Sequence, residues 1–286
     1  MDLGEVEAAD RHTVFADVRS GLWVLYYRLR KTKRTIHMAT SEDFEHWTDH
    51  GEVLTPNGGD PPETEFYGMV GFRYLGWSLG FLEMFKILER RLDTQLVRLD
   101  SNGRPKRFMQ GQTFLDHGDW SDWDASWAFP GNCAPIRVGE ELRIYYHGRK
   151  TLHWSDPATG GVDHIGAIGL ARIRKDGWVY MQAGADGGTL TTAPLQSQGC
   201  CISVNADASE GVRAELLDEK GKVIPGYSLD NCYPLKTDAT YWKLNWAGKW
   251  DLQEMMGRKI SIRFQLTGTK LYAFRFRDKM SGTTCQ

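Results

Sequence analysis

Three acidic side chains stand out by their neighbours: Asp10 in "AADRHTVF", Glu65 in "TEFYGM" and Asp124 in "WSDWDASWAF". Each precedes an apolar, strand-like run by a dozen or more residues. Glycosidic cleavage needs two carboxyl groups flanking the scissile bond, one protonated and one ionised. Aromatic surroundings disfavour the ionised form and raise a carboxyl toward the range of a general acid. Glu65 has Phe66 and Tyr67 beside it, and Asp124 has Trp123 and Trp127, with Asp119 and Asp122 as rivals. The chain carries 37 acidic residues, most of them expected in turns or on the surface; their place ahead of an apolar run marks these three, and an aromatic setting adds to the case for Glu65 and Asp124.

Arg28, His147 and Arg149 close apolar runs, "LWVLYYRLR" and "LRIYYHGR". There they suit sugar hydroxyls or a substrate carboxylate. Trp127 and Trp154 are candidate platforms for sugar rings, and 11 Trp leave enough for both a β core and such a surface. His147 and His153 lack metal-ligand spacing and read as solvated or hydrogen-bonded, so no metal and no cofactor is expected. The stretch "TGGVDHIGAIG" (Thr159–Gly169) is not followed by the helix that a dinucleotide site requires. No Gly-x-Ser-x-Gly elbow is present.

A net charge of −2 gives no electrostatic footprint for nucleic acid. No apolar run approaches the roughly 20 residues of a membrane helix. Met1 to Asp10 is acidic and has no apolar signal core. The location stays open between cytoplasmic and, if an N-terminal part is missing, secreted. The five Cys are scattered apart from the adjacent Cys200 and Cys201, and they read as free thiols.

The elements that must position these groups are short and β-rich. "LWVLYYRLR" (Leu22–Arg30), "SLGFLEMF" (Ser78–Phe85) and "LRIYYHGR" (Leu142–Arg149) combine branched and aromatic residues as strands do. The strongest helix candidate, "EMFKILERRLD" (Glu83–Asp93), reads equally as strand, loop, strand. After each apolar run comes a second strand, an acidic turn and a closing aromatic: Trp47, Phe108 and Trp178. The units recur about 55–65 residues apart, a period that suits the blades of a β-propeller. Past Gly187-Gly188 the pattern changes to alternating strands of sandwich type. The expected organisation is all-β: a propeller-like domain over 1–188, a β-sandwich over 189–276 and a polar tail over 277–286.

The segments "ATSEDFEHWT", "TEFYGM", "GLARIRKDGWVYMQAG" and "GGTLTTAPL" resemble the five-bladed β-propeller glycosidases of glycoside hydrolase families 32, 43 and 68. Many family-32-like proteins also carry a C-terminal β-sandwich. The resemblance implies carboxylates around an axial funnel, on the innermost strands of the blades. It implies Glu65 as general acid, Asp10 as base or nucleophile and Asp124 as a tuning acid. The substrate would be a plant or microbial oligo- or polysaccharide. The alternative is a carbohydrate-binding protein without catalysis. Two features depart from the family: three blades are countable rather than five, and the W-M-N-D-P type opening motif is absent. An N-terminally incomplete chain is therefore expected, with an open propeller edge that favours self-association.

Overall fold

Alternating branched and aromatic residues fold into eighteen strands in the computed structural model, which describes residues 11–17, 19–30, 32–154 and 166–278. Among these residues there is no α-helix, only a short 3-10 turn at Gln253–Met255, so no helix is long and apolar enough to cross a membrane. Two compact units result: Met1–Ile136 with Arg143–Arg172, and Arg137–Leu142 with Ile173–Gln286.

The first unit is a partial β-propeller. Its first blade is β1 (His12–Asp17), β2 (Leu22–Arg30), β3 (Arg34–Ser41) and β4 (Thr48–Leu54), antiparallel in chain order. The acidic turn after β3 has a local cause. Ser41 Oγ accepts the Phe44 N–H at 2.8 Å, and Asp43 Oδ1 accepts those of Glu45 and His46 at 2.8 and 2.7 Å. These bonds hold Phe44 at a φ of 68° and bring Trp47 back onto Leu25, Tyr27, Leu29 and Ala39.

The second blade is β5 (Thr64–Tyr74), β6 (Trp77–Lys86), β7 (Arg91–Leu99) and β8 (Pro105–Lys106). The stretch Glu83–Asp93 is thus strand, turn and strand. Blades one and two pack face to face through Val24, Tyr26, Ile36 and Met38 against Phe66, Met69, Leu82, Met84 and Val97. The third blade is built on β9 (Trp127–Pro130), β10 (Ile136–Val138), β11 (Glu141–Arg149) and β12 (Gly166–Arg174). A short parallel contact, Leu92 opposite Trp127, links β7 to β9.

The second unit is a β-sandwich. Its sheet is organised by two long strands, β16 (Cys201–Leu217) and β18 (Lys259–Arg277), which pair antiparallel over most of their length. The shorter β13 (Met181–Ala183), β14 (Gly188–Thr191) and β15 (Leu195–Gln196) join β18, and β17 (Asp238–Lys243) joins β16. The boundary read at 188/189 falls inside β14. The core is apolar: Ile202, Val204, Leu216, Ile262 and Phe264 surround Trp246, whose indole N–H donates to the Ala214 carbonyl at 2.8 Å. Free thiols hold for Cys133, Cys201 and Cys232 but not for Cys200, which is disulfide-bonded. Spacing along a chain does not report which sulfurs the fold brings within bridging distance.

Candidate functional site

The site is built on an irregularity in the second blade. Along β5 and β6, Glu65 opposes Phe85 and Phe66 opposes Met84, yet Gly68, not Tyr67, opposes Glu83. Tyr67 is therefore the extra residue of a β-bulge. Its effect is visible in the core, where Phe66 and Met69 share one face although they lie three residues apart. Regular alternation would put them on opposite faces. The bulge leaves Glu65 and Gly68 together on the other face, with Phe85 and Glu83 across from them.

Both glutamates are buried, Glu83 completely and Glu65 to 2% exposure. Charges so placed need partners. Arg34, the first residue of β3, forms an ion pair with Glu65 Oε2. Arg11 donates through Nε to both oxygens of Glu83, at 3.1 and 3.0 Å, and its Nη2 pairs with Oε1. Position 68 carries no side chain because Glu83 Oε2 and Arg11 Cγ occupy the space where a Cβ would stand. Arg28 donates to the carbonyl of the bulged Tyr67 at 2.9 Å and lies 4.2 Å from that ring's centroid.

Tyr67 is also the hub of an aromatic cluster. Its ring lies 5.9 Å from Phe85, 5.8 Å from Trp127 and 6.5 Å from Phe129. Its hydroxyl is 3.2 Å from His153 Nε2, and the His153 ring lies parallel to Trp127 at 5.2 Å. Trp154 follows at a φ of 56° and remains 47% exposed, edge-on to Phe85 and 5.3 Å from the Arg34 guanidinium. A bulky residue at positive φ is uncommon and persists only where its surroundings hold it there. Arg149 lies 4.6 Å above Trp127, and His147 sits 5.1 Å from Phe129. Burial, then Arg149 and Arg11, push the His147 imidazole below its ordinary range.

Of the residues singled out from sequence, Arg28, Glu65, Trp127, His147, Arg149 and Trp154 gather in this cluster. Asp124 does not join them. Its Oδ2 accepts the Tyr146 hydroxyl at 2.6 Å, and its Cβ lies against Gly148. Tyr146 and Gly148 alternate along β11 with His147 and Arg149, so Asp124 occupies the opposite face of the β9–β11 ladder. The Tyr146 hydroxyl is correspondingly held above its usual range, by burial first and Asp124 second. Asp10 lies outside the described residues.

Sequence reasoning missed Glu83, Arg11, Arg34 and Tyr67. Glu83 carried a usable signal, as the lone charge within "WSLGFLEM". His153 is hydrogen-bonded, as one branch of its reading had it.

Asp93, Asp116 and His117 also bring potential ligand atoms within 4.8 Å of one another. Lys86 Nζ sits 2.8 Å from Asp93 Oδ2, and Arg91 Nη2 lies 2.7 Å from His117 Nδ1, so a cationic side chain already faces one atom of each of these two residues. In the main cluster, two carboxylates stand on one face of neighbouring strands as diagonal neighbours, a relation that sets residues roughly 7–8 Å apart and their Cβ atoms somewhat closer. Each accepts from a guanidinium.

No family model and no curated protein matches the chain. Among solved structures, it is similar to a β-1,2-mannobiose phosphorylase from Listeria innocua, in complex with β-1,2-mannobiose (17% identity, TM-score 0.35), over 45% of this chain and 33% of that one. It is similar to the family-32 β-fructofuranosidase of Bombyx mori (9% identity, TM-score 0.38), over 93% of this chain and 66% of that one. It is also similar to an endo-arabinase from Bacteroides thetaiotaomicron (13% identity, TM-score 0.40), over 82% of this chain and 92% of that one. The chain therefore spans a third of the length of the mannobiose phosphorylase. Glycoside hydrolases of propeller-like folds are prominent among its structural neighbours.

Proposed function

We propose that the chain is a glycoside hydrolase acting on a plant or microbial oligo- or polysaccharide. The observation that carries this reading is the pair of buried carboxylates, Glu65 and Glu83, on one face of β5 and β6 within an aromatic cluster. In this reading Glu65 is the general acid once Arg34 has withdrawn. Glu83, held by Arg11, serves as the ionised partner, a role it shares with or takes from Asp10. Trp154 supplies an exposed apolar face to a sugar ring, whereas Trp127, buried under Arg149 and His153, supports the site from within. Asp124 has no contact with substrate. The test is a screen of aryl-glycosides and plant oligosaccharides with the wild-type chain, Glu65→Gln and Glu83→Gln. Turnover that either amide reduces by about 10²–10⁴-fold supports the assignment. Turnover untouched by both removes them from catalysis.

A second reading, glycan binding without catalysis, is favoured by the arginines that already occupy both carboxylates. Oligosaccharide binding by calorimetry, with no product from any substrate of the screen, would select it.

A further inference from the structure

The arginines of the cluster are not alike in what answers them. Arg34 and Arg11 each meet a carboxylate. Arg149, the last residue of β11, donates through Nε to the Thr151 carbonyl at 3.3 Å and to the Thr151 hydroxyl, and through Nη2 to the Leu152 carbonyl at 3.1 Å. All of these acceptors are neutral, and among the described residues Arg149 forms no ion pair. Its guanidinium is nonetheless half-buried against the Trp127 ring at 4.6 Å, and burial lowers its affinity for the proton. His147 stands two residues earlier on the same face, where burial first, and then the charges of Arg149 and Arg11, lower its proton affinity. The chain as a whole carries a net charge of −2, so this positive corner is local.

We propose that the ligand of this cluster presents an oxyanion to Arg149, beside His147. A guanidinium offers a planar fork of donors that matches the two oxygens of a carboxylate, sulfate or phosphate. Partial burial strengthens such a contact and leaves the cation poorly compensated without it. The chemistry is shared by three sources: the carboxylate of a uronic acid, a sulfate ester on a sugar, and inorganic phosphate. The proposal rests on the reading of this cluster as a glycan site, and the following experiment separates the two.

Isothermal titration calorimetry on the whole chain compares oligogalacturonides with their methyl esters, sulfated galactan oligosaccharides with desulfated ones, and inorganic phosphate alone. One anionic probe should bind at least about tenfold tighter than its neutral counterpart, or phosphate should bind by itself. Arg149→Gln should weaken that binding by roughly 10–100-fold, the scale of a charge-assisted hydrogen bond. Arg149→Lys should retain part of it, and far-ultraviolet circular dichroism of both variants verifies their fold. Neutral and anionic oligosaccharides binding equally well would overturn the oxyanion seat and leave the glycan site standing. Phosphate binding without any oligosaccharide binding would support the seat and overturn the glycan reading. Anion binding unchanged in a folded Arg149→Gln chain would show that Arg149 only caps the Thr151–Leu152 turn.

Discussion

Arg34 and Glu65 form an ion pair between two blades, the cation from the start of β3 and the carboxylate from the start of β5, with side chains only 8% and 2% exposed. Their positions make the pair a tie between blades one and two as much as part of a site. Removing one partner of a buried pair costs about 3–5 kcal/mol, because the other charge is left unmatched, whereas removing both often costs little. Arg34→Met is therefore expected to lower stability by that amount, and adding Glu65→Met to recover much of the loss. Urea denaturation of the four members of the cycle measures it. Additive losses would show that the two side chains are not coupled.

Gly68 should tolerate no side chain. A Cβ there meets Glu83 Oε2 and Arg11 Cγ, so Gly68→Ala forces the second ion pair to move. Overpacking of this kind costs typically about 1–3 kcal/mol. Thermal melting of Gly68→Ala gives the value, and an unchanged midpoint would mean that the Arg11–Glu83 pair shifts without cost.

His147 should leave a signature in the pH dependence of stability. Burial, with Arg149 and Arg11 nearby, holds the imidazole below its ordinary 6.5 in the folded chain. The unfolded chain then binds the proton first as pH falls. Stability from this group is complete above about pH 6.5 and declines as pH drops from there through the lowered folded value, by at most about 1.4 kcal/mol per pH unit. His147→Gln is expected to remove that component from denaturation curves taken across the window. Identical slopes for both proteins would assign the pH dependence to other groups.

Trp154 combines an unfavourable φ of 56° with 47% exposure. Glycine adopts that backbone without strain. Trp154→Gly should therefore cost little stability, while its missing ring weakens oligosaccharide binding by about 0.5–1.5 kcal/mol, the worth of a stacked aromatic contact. Calorimetry beside thermal melting tests both halves, and a large loss of stability with intact binding would make Trp154 a structural residue.

The strands were legible in the sequence because branched and aromatic runs bounded by turns are a local signal. Ser41 and Asp43 likewise announced their turn, since they bond to backbone only two or three residues away. Glu65 was legible from its aromatic neighbours. Its partner Arg34 was not, because a contact between blades depends on how the blades stack. Asp124 has equally aromatic neighbours, yet it faces the other side of its ladder. Which face a residue takes depends on register, and composition does not report register. Glu83 escaped notice because a single charge in an apolar strand gains meaning only when Arg11, 72 residues away in sequence, covers it.

The bulge at Tyr67 acts as a frameshift in the strand's code of faces. Upstream of it, odd-numbered positions face the charged cluster and even-numbered ones the interior; downstream, the assignments exchange. One inserted residue thus keeps Glu65 and Gly68 on the site face and Phe66 and Met69 in the core on either side of it. Excising Tyr67 would leave strict alternation in β5, with Glu65 and Gly68 still on the polar side and Phe66 and Met69 still inside, whereas pairing Tyr67 in regular register would exchange the two surfaces. What the extra residue adds is therefore Tyr67 itself, the ring and carbonyl that Arg28, Phe85, Trp127 and His153 gather around, inserted without disturbing either face of the strand.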